Sequence, residues 1–544
     1  GSRTPYNANR IRAYLDDIPL TSGDGISTLE DLDPASIGTI EILKGPSSAL
    51  YGSGLGGIVK LSTPYPEKTG FSARIEGKAG SFGSGKLGLT GARKMNSLAL
   101  SGGVTRTFTE GYRQNSRYTR NNLFLNTRYF GEKTSLSVTL SLIDLLAMIP
   151  SSLHEDDFRN RPEKAAENWL TAKGFESYTK ALIGTRIESE IGRGVRNTLV
   201  VFGSYNDPYE LRPFNVLDER SVSTGFREYL ELELSGLRIS TGIEYFHEWF
   251  NWKIFETMVD RQGNMFSDND EIRRYGNFFI LAQWRPAEAV LIDAGFNING
   301  LQYSLVTRYR IDSLDQSGSY TYDPVLSPRL GISIRLTGDH HLYASAGHGF
   351  SAPSLEETLL PEGTINTGLE PETGWNLEIG SRGRSTGGRI TYDATLYTVV
   401  LDNLLVTERV TEDIFTGINA GKALNTGAEF WTRFSLFPGE AEDWFNTGLM
   451  AGYTVSMNRF LEFVDDGIDY SGKNLPGIPV HRLNTLINVR FGALDLFLQY
   501  QFTGRQWMDD ANEHVYGGYH LFHSRIEWKH DLRELPFGIR IHAG

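Results

Sequence analysis

The sequence predicts an all-β transmembrane barrel, antiparallel and of about 22 strands, preceded by a small separate domain. Three observations point there. From Phe71 onward apolar and polar residues alternate with period two, and the connections between these segments are short and long in strict turn. No run of about 18 apolar residues offers a membrane-crossing helix. A barrel needs none, because its strands show an apolar face to lipid and a polar face to the lumen, which fits a mean hydropathy of -0.30.

Taken in order, the chain first carries a strand-like segment, Ile11–Leu15, then an Asp16-Asp17 pair, Pro19 and a polar run at 21–25. Residues 37–64 organise the rest of the chain. A short apolar strand at 40–43 runs into a turn at Lys44-Gly45-Pro46, and a glycine-rich segment leads to a second strand at 58–61. Glycine permits positive φ and close backbone approach, so this stretch suits a confined space. It is not a phosphate loop, since no Gly-Lys-Ser/Thr follows and no helix opens there. Thr63-Pro64-Tyr65-Pro66 is poor strand interior and good linker, which sets a domain boundary near residue 68 and divides the chain into 1–68 and 69–544.

Beyond the boundary, Phe71, Ala73 and Ile75 alternate with Ser72, Arg74 and Glu76. Leu136, Val138, Leu140 and Leu142 alternate with Ser137, Thr139 and Ser141. Similar runs lie at 329–336 and 494–500. Short connections are expected at 94–96, 131–133, 192–194, 235–236, 286–288, 337–339, 385–388, 492–493 and 533–536. Between them lie long ones, near 108–117, 147–176, 207–223, 251–271, 305–327, 348–370, 406–418, 459–480 and 504–516. A soluble sandwich has no reason to keep that parity, whereas a barrel has tight turns at its periplasmic rim and long loops outside. The count is about 21 strands, and bacterial single-chain barrels have even numbers. A closing strand is therefore expected beyond Gly544. One long loop is expected to hold a helix that starts at Pro162, contains Ala165, Ala166, Trp169 and Leu170, and ends at Gly174.

Composition narrows the function. The 544 residues include no cysteine, so neither a disulfide nor a thiolate metal site is available, and a net charge of -13 argues against nucleic acid. His154 beside Glu155, Asp156 and Asp157 reads as a helix cap or solvated loop charge in preference to a metal site. No Ser-His-Asp or paired-carboxylate spacing suggests an enzyme, and no cofactor is expected. The chain opens on Gly1-Ser2-Arg3 with no signal peptide, as a processed or N-terminally incomplete sequence does.

Residues 11–20 (Ile-Arg-Ala-Tyr-Leu-Asp-Asp-Ile-Pro-Leu) and 40–63 resemble the second half of the plug domain of TonB-dependent outer-membrane receptors. Residues 342–353 resemble that family's barrel segment ending in Phe-x-x-Pro. Leu369-Glu370-Pro371-Glu372 with Leu377-Glu378-Ile379-Gly380, and 419–429 ending in Gly-Ala-Glu, resemble later strands. The resemblance implies a lumen filled by an α+β plug and a place in the outer membrane of a Gram-negative bacterium, surrounded by its lipid. It implies import of a ferric siderophore or other metal chelate, energised by a TonB-type transducer of the inner membrane. The family's TonB box, first plug half and closing strand are not in the sequence. Other cargoes known in the family are cobalamin, oligosaccharides and peptides, the last two with a surface lipoprotein lid. A non-transporting, adhesin-like barrel is the alternative of a different class.

By the same resemblance, Arg3, Tyr6, Asn7, Ser22 and Asp24 fall on outward-facing plug turns, a cation, aromatic and amide set suited to an anionic chelate. Tyr209, Trp252, Tyr322 and His348 are further ligand candidates at the outer rim, with an aromatic girdle as the competing role. Glu41 and Lys44 are expected to meet wall charges such as Arg335, Glu378 and Arg382.

Overall fold

A computed structural model describes the chain except for residues 1–9, 24, 30–31, 47–48, 53, 354–365, 367, 386, 412–413, 420, 438–443, 466, 532–537 and 544; for 320, 407–411, 414–416, 530–531 and 538–543 it describes the backbone alone. Four short strands near the N-terminus make one small sheet. They are β1 (Ile11–Leu15), β2 (Ile18–Pro19), β3 (Thr39–Lys44) and β4 (Gly57–Ser62), in the order β2-β1-β4-β3. β1 and β4 run parallel, and the other two pairs are antiparallel. Asp16 and Asp17 take φ of 51° and 66°, so β1 turns back into β2 through two left-handed residues, the geometry that matches strand twist. At Gly57 a Cβ would lie 2.4 Å from the Leu43 carbonyl oxygen, and only glycine closes the β3–β4 ladder there. Single-turn helices at Pro34–Ser36 and Ala49–Tyr51 complete the plug, the first capped by Asp33, which accepts from the Ala35 N–H at 2.8 Å.

Around this plug closes a ring of 22 strands. The alternation sorts as a lipid-bathed barrel requires: Phe71 and Ile75 are 74% and 85% exposed on the outer face, while Asn126, Thr139, Asp495 and Glu527 are buried inward. Within residues 1–544 Gly538–Ala543 stands next to Gly70–Ala79 and completes the ring. Its twenty-second member is the three-residue strand Tyr209–Leu211, wedged between the outer ends of Phe175–Gly192 and Val216–Leu234. The crossing strands alone keep the odd count that the connections predict.

Four expected loops are largely strand. Tyr209–Leu211 and Val216–Leu234 fill most of 207–223, and the hairpin of Leu405–Thr411 and Ile414–Asn419 fills most of 406–418. Leu237–Met258 and Arg261–Ala287 meet at a two-residue turn, so most of 251–271 is ladder. Val290–Arg310 and Gly318–Thr337 shorten the next loop in the same way. In these last two, alternating polarity disappears because the buried face mixes apolar Trp252, Ile254 and Leu305 with polar Ser267 and Asn269, so the pattern stops before the strand does. A short connection between Ser435 and Phe445 escaped the sequence reading. The loop at 149–174 holds two helices in place of one, Glu155–Asn160 and Glu167–Ala172. Pro162 lies between them and starts neither, and the second ends at Lys173 in the left-handed region just before Gly174. His154 is the N-cap of the first helix, whose three acids pair with Arg159, Asn160, Arg161 and Lys164.

Candidate ligand vestibule and plug anchorage

The plug reaches outward through the turn at 21–27, which a Thr21–Ser27 bridge closes and a 2.7 Å hydroxyl pair reinforces. Its tip touches the wall. The Gly23 N–H donates to Glu248 Oε2 at 3.1 Å, and the Tyr303 hydroxyl donates to the Gly23 carbonyl at 3.4 Å. Glu248 in turn holds Arg273 at 3.1 Å and accepts from the Ser223 hydroxyl at 3.1 Å. Arg273 also pairs with Glu271 at 3.2 Å and lies 4.3 Å over the Phe250 ring. A Cβ at Gly23 would sit 2.3 Å from Glu248 Oε2, so a larger residue there displaces the Glu248 carboxylate from the tip.

A second anchor lies deeper. Glu244 accepts from Arg12 of the plug at 3.0 Å and from Arg227 of the wall at 2.8 Å, and Tyr14 donates to it at 3.2 Å. Arg227 also donates to the Leu50 carbonyl at 2.8 Å and lies 4.8 Å from the Tyr51 ring centroid. Arg12, Tyr14, Arg227 and Glu244 are all buried. Burial opposes the charge on Arg12, but Tyr14, Tyr275 and Glu244 outweigh it and hold its pKa above the ordinary value. Burial, only partly offset by Arg12, pushes the Tyr14 hydroxyl well up, so it stays a donor.

Further ties complete a belt. Arg10 pairs with Glu372 at 2.6 Å, Asp33 with Lys86 at 2.9 Å, and Asp17 with Arg186 at 3.2 Å. Burial alone would raise the Asp33 carboxyl, yet Lys86, the Ala35 N–H and Thr105 draw it below the usual carboxylate value.

The structure distributes the expected site residues unevenly. Lys44 pairs with Glu429 of the wall, whereas Glu41 stays within the plug, 3.5 Å from Lys60. Glu378 borders the plug at Gly45 and accepts from Asn376 at 2.7 Å. Arg335 and Arg382 pair with other wall residues, Glu288 and Asp393. Ser22 is exposed on the plug tip. Tyr322 backs Tyr303, with ring centroids 5.8 Å apart, while Tyr209 stacks on Phe175. Trp252 is fully buried among Phe250, Ile254 and Leu305, one tier above the tip anchor. His348 packs edge-on against Trp375, on the face that carries the exposed Leu342, so it looks toward lipid. Arg3, Tyr6, Asn7 and Asp24 lie outside the described residues. The sequence reading missed Gly23, Glu248, Arg273, Arg12, Glu244 and Arg227. The signal was Glu244 and Glu248, four apart on one face of a strand, hidden because aromatic residues occupy both faces.

This geometry, a wall of antiparallel strands clamped onto a small inner sheet, is that of a plugged outer-membrane receptor. The chain belongs to the TonB-dependent receptor family: residues 70–541 match its receptor-like β-barrel and residues 1–59 its receptor plug domain. It is thus an outer-membrane β-barrel of a family of TonB-dependent receptors, which are not enzymes. Its sequence is 23% identical over 419 residues to the vitamin B12 transporter BtuB of Vibrio vulnificus (strain CMCP6), covering 74% of this chain and 60% of that protein. It is 23% identical over 558 residues to the pesticin receptor of Yersinia enterocolitica, covering 95% and 77%. Among solved structures, the unliganded ferric citrate transporter FecA superposes with a TM-score of 0.80 at 16% identity, over 96% of this chain and 81% of that one. The ferric yersiniabactin uptake receptor FyuA of Yersinia pestis gives 0.76 at 16%, over 97% and 83%.

Proposed function

We propose that this receptor imports a ferric siderophore or other metal chelate, with residues 1–68 as the moving plug and 69–544 as the fixed barrel. The turn at 21–27 carries the reading. It lies at the outer end of the plug with Ser22 exposed, and Glu248 and Tyr303 tie it to the wall. Cargo settling there touches plug and wall together, so a chelate that binds better to a rearranged Glu248–Arg273 pair loosens the plug from its wall. An inner-membrane TonB-type protein then supplies the work. The ferric-chelate receptors among the structural neighbours support this cargo class. Cobalamin is the second reading, supported by the relationship to a vitamin B12 transporter. Uptake of radiolabelled iron on a panel of chelates, and of labelled cobalamin, by cells with and without the gene decides between them. Equal uptake of every compound in both strains would overturn import and leave an adhesin-like barrel.

A further inference from the structure

At the opposite, short-turn side of the barrel a cavity of about 260 Å³ opens between plug and wall. It is lined on the plug side by Asp16, Lys60 and Thr63, and on the wall side by Asn126, Arg128 and Ser137, among others. Strand Tyr118–Phe130 ends two residues beyond Arg128, and Thr134–Met148 begins three residues before Ser137, so the cavity borders the periplasmic rim. Register places its polar groups in rows. Ser137 pairs with Arg128 on one neighbouring strand and with Arg186 on the other, and one step outward Asn126 faces Thr139.

Most of these groups are already satisfied. Arg186 holds Asp17 at 3.2 Å and Glu188 at 2.6 Å. Asp16 accepts from the Thr63 N–H at 3.0 Å, from the Thr63 hydroxyl at 2.5 Å and from the Thr139 hydroxyl at 3.2 Å. Two groups are not. Arg128 lies 5.1 Å from the Tyr65 ring centroid and 5.2 Å from that of Phe130, with no carboxylate in ion-pair reach among the described residues. Asn126 is only 6% exposed, yet neither its amide nitrogen nor its amide oxygen has a hydrogen-bond partner. A buried amide left unpaired costs about 1–3 kcal/mol, so an occupant that pairs with it is favoured. A guanidinium beside it selects an oxyanion, which its planar fork holds with two hydrogen bonds.

We propose that this cavity is an oxyanion subsite, built by Arg128 and the Asn126 amide, that receives a carboxylate or phosphate group of the cargo on its way from the lumen to the periplasm. Its place on the exit path rests on the import reading; its anion selectivity does not. Because the chain has no cysteine, Ser137→Cys sets a single thiol between Arg128 and Arg186. The purified, folded barrel in detergent is treated with two methanethiosulfonates, one bearing a sulfonate and one a trimethylammonium, each rate normalised to free cysteine. The sulfonate should react about 5-fold faster or more, Arg128→Gln should abolish that preference, and Arg128→Lys should retain it. A thiol inert to both reagents, an absent preference, or one that survives Arg128→Gln would overturn the subsite. In cells, Arg128→Gln alone should leave surface binding of a ferric chelate intact and lower its uptake several-fold. Unchanged uptake would overturn the passage role. If the wild type imports nothing, the thiol measurement still stands on its own.

Discussion

Glu244 is one carboxylate shared by two guanidiniums, Arg12 from the plug and Arg227 from the wall, all three buried. Removing it takes the shared carboxylate away from two buried guanidiniums. Glu244→Ala is therefore expected to destabilise the seated plug by about 3–5 kcal/mol, read as a lower urea midpoint for plug release with the barrel still folded. Gly23→Ala tests the tip: its methyl would intrude on Glu248, so ligand binding should weaken while Arg12 and Glu244 keep the plug seated. Asp33 adds a pH signature. Its carboxyl titrates lower when folded than the ordinary 3.8, so its contribution is complete above that value and is lost as pH falls through the lowered one. Acid should loosen the plug near that limit, seen as rising ion conductance in planar bilayers. Asp33→Asn should loosen it already at neutral pH and flatten the acid response. None of these residues stood out in the sequence, because a charge that pairs across 232 positions leaves no local pattern.

At the scale of elements, legibility followed solvent. Strands inside the membrane were readable because lipid and lumen impose opposite demands on alternate residues, as at Leu136 to Leu142. The strand extensions around Trp252 and Leu305 were not, since their buried face carries Trp252 and Ile254 beside Ser267 and Asn269 and so shows no single polarity. The outer loop at 149–174 shows what replaces periodicity there. Arg113 donates to the carbonyls of Lys164 at 2.8 Å, Ser151 at 2.6 Å and Pro150 at 3.3 Å. Asn115 donates to those of Ile149 at 2.8 Å and Gly174 at 2.9 Å. One neighbouring loop therefore carries much of the order of another. Arg113→Ala should raise the rate of protease cleavage within 149–174 about 10-fold or more, with barrel melting unchanged. Equal cleavage of both proteins would show that Trp169 and Ala172, buried against the wall, suffice.

For the whole molecule, strand parity gave the architecture and the plug segment gave its filling, while the belt of ion pairs that joins the two became visible only in three dimensions. That belt surrounds an apolar seam in which Leu15, Ile18, Leu32 and Leu61 of the plug pack with Leu182, Phe202, Phe246 and Leu301 of the wall. Salt therefore acts on the exposed ion pairs of the seam, while the buried Glu244 pairs are the least screened and the apolar contacts are not weakened by it. Raising ionic strength should first weaken the exposed Lys44–Glu429 contact, measurable as increased conductance from Lys44→Ala channels relative to wild type at low salt only.

The direction of β1 has a mechanical consequence. β1 begins at its outer end, where Arg10 meets Glu372, and runs toward the short-turn rim alongside parallel β4. Tension entering through the backbone before Arg10 and aimed at the periplasm thus runs back along the strand it pulls. Such a load peels the ladder one pair at a time and does not shear five pairs together. Arg10–Glu372 yields first, Arg12–Glu244 next, and each rupture needs only the force of a single contact. The inner sheet is strong against uniform stress and compliant to a tug at one end.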